Sequence, residues 1–92
     1  MNNKLNEKIS VIMNCRNGEE FLIEAIDSVV NQTHKNWELI FCDNDSKDNS
    51  TLIAKSYNNE KIKIYNTDKY LSCGDARNFA LSRAKGRYIA FL

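Results

Sequence analysis

Residues 9–30 read ISVIMNCRNGEEFLIEAIDSVV, and this one stretch sets the fold class. Ile9–Met13 is a short, nearly continuous apolar run rich in β-branched residues, the pattern of a strand buried on both faces. Polar NCRNG interrupts it. From Glu19 the apolar residues Phe21, Leu22, Ala25, Ile26, Val29 and Val30 then fall along one stripe of a helix. Asn17, with Glu20 three positions on, has capping-box spacing. A buried strand that turns through a polar loop into an amphipathic helix is the first half of a β-α-β unit.

The unit continues downstream. After the polar link NQTHKN, Trp37–Cys42 (WELIFC) is a second strand, and Thr51–Tyr57 (TLIAKSY) is a short helix. Ile62–Tyr65 (IKIY) alternates apolar and charged residues, as a half-exposed strand near a sheet edge does. The loop NTDKYLS follows. Gly74–Ala84 carries Ala76, Phe79, Ala80, Leu81 and Ala84 on one helical stripe, with Ser72 and Asp75 in capping-box positions and Gly86 suited to the stop. Tyr88–Leu92 (YIAFL) is a fourth strand. Strands alternating with helices imply an α/β fold: right-handed crossovers and a mainly parallel sheet with helices on both faces.

Composition narrows what such a domain does. Ninety-two residues make about one domain, which removes roughly 60–70% of its unfolded surface from water. Apolar residues at 42% and charged residues at 27% are globular values. Thirteen Lys and Arg against twelve Asp and Glu leave +1, so no global field draws in nucleic acid, and any anion is bound locally. Cys15, Cys42 and Cys73 are odd in number, far apart and form no C-x-x-C pair, which fits a reduced, cytoplasmic protein. No apolar run approaches the ~20 residues that span a bilayer, and MNNKLNEK lacks the hydrophobic stretch of a signal peptide. GRYIAFL ends inside an apolar run, so the chain is expected to be a fragment of a longer one.

Open α/β sheets bind ligands beyond the carboxyl ends of their strands, where strand order reverses. That rule selects Asn14–Gly18 and Asp43–Ser50. NCRNGEE contains neither G-x-G-x-x-G nor G-x-x-x-x-G-K-[ST], so a dinucleotide-dependent oxidoreductase and a P-loop enzyme fit poorly. FCDNDSKDNS, residues 41–50, fails as a calcium loop because Lys47 takes a ligand position and no glycine follows in register. Its Asp, Asn and Ser residues also suit turns and helix N-termini.

Taken together, ISVIMNCRNGEEFLIEAIDSVVNQTHKNWELIFCDNDSKDNS and SCGDARNFALSRAKGRYIAFL resemble the N-terminal half of the catalytic domain of family 2 glycosyltransferases. The resemblance covers roughly residues 8–92. It rests on the order and spacing of Ser28, Val29, Gln32 and Thr33, then Asp43, Ser46 and Asp48, then Ala76, Arg77 and Asn78, then Gly86, Tyr88, Ile89, Phe91 and Leu92. It implies the Rossmann-like N-terminal half of a GT-A fold over residues 8–92, preceded by a polar tail over residues 1–7. It also implies an inverting enzyme that moves a sugar from a nucleotide-diphosphate donor, of UDP or dTDP type, to a glycan or lipid-linked acceptor hydroxyl.

Carried over residue by residue, the family's base- and ribose-holding loop falls on Asn14, Arg16, Asn17 and Glu19. Amides and a carboxylate read base edges and hydroxyls, and a guanidinium stacks or meets phosphate. For Asn17 the alternative is capping with Glu20. The family usually has two consecutive aspartates after the second strand, and here they are Asp43 and Asn44. Asp43 is expected to support the loop, Asn44 to offer donor and acceptor to a base, and Asp45, Asp48 and Ser50 to cap the short helix. Arg77 stands near a helix start, either as a cation beside a diphosphate or as a solvated charge. The resemblance places the metal motif, for Mn²⁺ or Mg²⁺, just after Leu92, and the general base further on. This chain is therefore expected to hold no metal site or catalytic residue and to be inactive alone. A non-catalytic binding or assembly module of the same fold is the alternative. Tyr88–Leu92, as an open sheet edge, is expected to self-associate. The longer protein would work in the cytoplasm, at the cytosolic face of the membrane.

Overall fold

The computed structural model describes residues 7–92, so all but the last residue of the expected tail over 1–7 lies outside the described residues. Seven elements alternate along the chain: β1 (Ile9–Cys15), α1 (Glu19–Val30), β2 (Trp37–Asp43), α2 (Ser50–Ser56), β3 (Ile62–Asn66), α3 (Cys73–Arg83) and β4 (Tyr88–Phe91). The strands form one parallel sheet in the order β3-β2-β1-β4. The chain steps from β1 to β2 to β3 in one direction and then returns past both to set β4 on the far side of β1. Crossovers of one hand that run in opposite directions must use opposite faces of the sheet. The helices obey this, α1 and α2 covering one face and α3 the other.

Strand alternation sorts the core into two layers. Val11, Met13 and Cys15 of β1 and Trp37, Leu39 and Phe41 of β2 pack with Leu22, Ile26, Val29 and Ala54 under α1 and α2. Ile12, Ile40 and Cys42 point the other way, onto Ala80 of α3, with Tyr65 and Phe79 closing that side edge to face at 6.0 Å. Phe41, Ile12, Ile26, Leu39 and Ile40 are fully buried, and each such side chain contributes about 1.5–3 kcal/mol through burial. β2, paired on both edges, is buried along its whole length. β3 is an edge strand, as its alternation implied, and β4 is the opposite edge, with all four residues exposed.

Several local expectations need correction. Asn17 and Glu20 form no capping box: Asn17 sits at φ 54° and Gly18 is the residue before α1. The free N–H groups of α1 are met from the other loop instead, Gly18 N–H donating to Ser50 Oγ (3.2 Å) and Glu19 N–H to Asp48 Oδ2 (3.1 Å). Asp48 also accepts from Ser50 N–H and Ser50 Oγ–H, so it serves both helix starts, whereas Asp45 pairs with Lys47. Phe21, placed on the buried stripe of α1, is 68% exposed, because the stripe centres on Leu22, Ile26 and Val29. Ser72 does cap α3, accepting from Asp75 N–H.

Gly86 does not stop α3 through a left-handed turn. A β-carbon there would lie 2.6 Å from Ser10 Oγ, 2.7 Å from Ser10 N and 2.9 Å from Lys8 O. Only glycine fits so close to β1. Beside it, Ser10 donates to Glu38 Oε2 (2.6 Å), which also accepts from Lys85 N–H (2.7 Å), and Gly86 N–H donates to Ser10 Oγ (2.8 Å). Burial pushes the Glu38 carboxyl up, but these two bonds and the charges of Lys8 and Lys63 outweigh it and hold the pKa below its ordinary value.

Candidate functional site

Strand order reverses at β1, whose neighbours are β2 and the returning β4. A cleft of about 300 Å³ opens there, at the carboxyl ends of β1 and β4 and beside the start of α3. Its walls include Asn14, Arg16, Asn44, Tyr70, Arg77 and Phe91. A larger depression of about 690 Å³ lies between α2 and the start of β3. Lys55 and Glu60 both line it, and it sits away from the strand ends where ligands meet α/β sheets. The smaller cleft is the functional candidate.

Register explains which residues reach the cleft. Asn14 pairs with Cys42 and Cys15 with Asp43 along parallel β1 and β2. Ile12 and Cys42 face α3, so Asn14 and Asn44, two residues on from each, point to that side as well. Asp43 belongs to the opposite face. Its carboxylate accepts from Asn66 Nδ2 (3.1 Å), Ser46 N–H (3.3 Å) and Thr51 Oγ1, tying the ends of β2 and β3 to α2. Asn44 instead bonds the main chain of Leu71 at both its amide atoms.

Two arginines supply the charge. The Arg16 guanidinium lies 4.6 Å from the centre of the Tyr70 ring, and that of Arg77 lies 5.2 Å from the centre of Phe91. Both are cation–π distances. Among the described residues neither arginine has a carboxylate within ion-pair distance. Among the described residues no aspartate or glutamate lines the cleft, so a bound anion would meet two guanidiniums able to form charge-assisted bonds.

The structure therefore gathers Asn14, Arg16, Asn44 and Arg77 of the seven sequence candidates and leaves Asn17, Glu19 and Asp43 outside. Asn17 accepts from Lys47 N–H at 2.7 Å and donates its own N–H to Ser46 Oγ at 2.9 Å, and so knits the two strand-end loops together. Sequence reasoning missed Tyr70 and Phe91. Phe91 reaches the cleft because it pairs with Ile12 and so faces α3, a register that follows from sheet order and not from local pattern. Tyr70 sits in a segment without regular structure, where only an aromatic residue in a polar loop gave a signal.

Among the described residues no group of three or more His, Cys, Asp and Glu could hold a metal ion. The side-chain polar groups lining the cleft are two amides, two guanidiniums, a phenol and the thiols of Cys15 and Cys73. With no acidic side chain to balance two guanidiniums, this set does not fit a hard divalent cation, which takes carboxylates among its oxygen ligands.

Residues 10–92 match the family model described as glycosyl transferase family 2. The chain is 40% identical over 84 residues to the Escherichia coli UDP-Glc:alpha-D-GlcNAc-diphosphoundecaprenol beta-1,3-glucosyltransferase WfgD, covering 91% of this chain and 33% of WfgD. The crystal structure of S. aureus TarS 1–349 in complex with UDP-GlcNAc superposes with a TM-score of 0.88 at 28% identity, over 92% of this chain and 26% of that one. The mannosyltransferase PcManGT from Pyrobaculum calidifontis, in complex with GDP-Man and Mn²⁺, shares the fold at a TM-score of 0.83 and 18% identity, over 91% of this chain and 26% of its own. These neighbours are GT-A glycosyltransferases. The chain thus spans about a third or less of the length of the relatives it matches.

Proposed function

The chain belongs to glycosyl transferase family 2, and from that premise we propose that it is the donor-nucleotide half of an inverting glycosyltransferase. The protein transfers a sugar from a nucleotide-diphosphate donor to an acceptor hydroxyl by direct displacement. The observation that carries this reading is the cleft at the strand-order reversal, lined by two arginines and, among the described residues, no aspartate or glutamate. Arg77, at the start of α3, meets the diphosphate. Arg16, stacked on Tyr70, forms with it one wall for the base, and Asn14 offers an amide to the base or ribose. Asn17, Glu19 and Asp43 act one step back, by fixing the loops that hold these groups.

The likeness to a TarS structure holding UDP-GlcNAc and to a WfgD that uses UDP-glucose supports a UDP-type donor, with dTDP as the other candidate. WfgD's name gives a lipid-linked sugar as acceptor, which supports a glycan or lipid-linked hydroxyl here. No helix among the described residues is long and apolar enough to cross a membrane, and we place the domain at the cytosolic membrane face, where lipid-linked acceptors are exposed. A divalent cation, where a glycosyltransferase holds one, neutralises the departing diphosphate. The residues described do not fit that ion, and no step is assigned to them through it. β4 is paired on one side only and exposes Ile89, Phe91 and Leu92. The isolated 92-residue chain self-associates along this edge, which light scattering tests.

Isothermal titration of UDP and dTDP, each with Mn²⁺, into the full-length polypeptide that carries this chain tests the reading. Binding of either is expected, and binding of neither overturns it. A non-catalytic binding module of the same fold is the second reading, motivated by Asn44 where the family usually has an aspartate. Nucleotide binding without sugar transfer or donor hydrolysis by the full-length polypeptide selects it.

A further inference from the structure

Asn44 is only 7% exposed, and its amide is aimed at a single residue. Nδ2 donates to Leu71 O at 2.8 Å, and Oδ1 accepts from Leu71 N–H at 2.8 Å. The Thr67 hydroxyl lies 3.4 Å from both this Oδ1 and Asp43 O, and its one proton serves either. Residues 67–72 have no helix or strand of their own. Thr67 N–H is anchored to Asp43 O at 3.1 Å, so the segment is held near one end by the end of β2 and near the other by the Asn44 side chain. Next to Leu71 stands Tyr70, 53% exposed, with Arg16 over its ring.

We propose that Asn44 is a positioning residue of the nucleotide cleft: it clamps Leu71 so that Tyr70 and Arg16 form the stacking wall, and it does not read the base. The proposal rests on the nucleotide reading above. It accounts for an amide at this position. An aspartate of the same shape would bring a carboxylate oxygen against Leu71 O where the structure has a donor, so half of the clamp would become repulsive. With the Asn44 amide turned onto the Leu71 main chain, the base meets mainly Arg16 and Tyr70, and stacking on a ring and a guanidinium tolerates every base.

The test uses the full-length polypeptide. Affinities for UDP, GDP and CDP are measured by isothermal titration for the wild type, Asn44→Ala and Tyr70→Ala, and hydrogen exchange of the Leu71 amide is followed without ligand. In Asn44→Ala, Leu71 exchanges at least about tenfold faster, and all three nucleotides weaken by a common factor of about ten, leaving their order of preference intact. Tyr70→Ala weakens all three to a similar extent while Leu71 stays protected. Where the alanine variant at Asn44 fails to fold, Asn44→Asp, which keeps the volume, gives the same common loss. A changed order of preference in a variant at Asn44, unchanged Leu71 protection in Asn44→Ala, or wild-type affinity in Tyr70→Ala overturns the positioning role. A wild-type protein that binds none of the three overturns the nucleotide reading itself, and with it this role.

Discussion

At Gly86 a single hydrogen separates a fitting residue from a clash. Alanine there drives a β-carbon into the Ser10 main chain and the Lys8 carbonyl, and forced overpacking of this kind costs about 1–3 kcal/mol. Gly74 is the control, because a β-carbon there meets nothing within 4 Å on the exposed side of α3. Gly74→Ala is expected to stabilise by about 0.5–1 kcal/mol through helix propensity, so urea denaturation of the two variants should give opposite signs. Glu38 adds a pH prediction. Its pKa is lower folded than unfolded, so its contribution is present above its ordinary value of 4.5 and is lost as pH falls through the folded value. Glu38→Gln should flatten that acid limb in a pH series of denaturation curves. The sequence showed Gly86 but not its reason, since the contact with β1 spans 76 residues and follows from sheet order, not from local pattern.

The helices were legible as stripes, and the Ser72 cap of α3 with them, yet the start of α1 was not, because another loop caps it. Ser50 is fully buried and accepts from Gly18 N–H while donating to Asp48. Ser50→Ala is expected to cost about 1–2 kcal/mol, above a surface cap, since a part-buried donor is left without a partner. Denaturant titration checks it, with increased exchange of the Gly18 amide marking the fraying of α1. The contact between α1 and α2 carries its own signature. Tyr57 Oη donates to Asp27 Oδ1 (2.6 Å), with Ile23 O 3.1 Å away, and burial, then the bond to and charge of Asp27, push the phenol up to about 12. A raised folded pKa keeps its contribution intact below the unfolded value of about 10 and removes it as pH rises toward 12. Tyr57→Phe should lose stability at neutral pH and lack this alkaline decline.

Across the whole molecule, the alternation of strands and helices fixed the parallel sheet in advance, and the ligand-binding rule for such sheets selects the strand ends at which the cleft opens. What local pattern could not show is that β4 returns beside β1, which joins Phe91 and Arg77 to Asn14. A ligand in a cleft built from β1, β4 and α3 should stabilise the fold through all three. With the free nucleotide at a hundred times its Kd, linkage adds about 2.7 kcal/mol to the unfolding free energy. In Arg77→Ala, if the lost phosphate contact weakens binding about tenfold, the same UDP concentration adds only about 1.4 kcal/mol. Arg83 lies near the other end of α3 and packs over Tyr65 and Phe79 at 5.5 and 4.9 Å from their ring centres. Arg83→Ala should therefore lower the stability of the unliganded protein yet keep the full UDP increment. Denaturation curves with and without UDP separate the two arginines, and equal increments in both variants would remove Arg77 from the site.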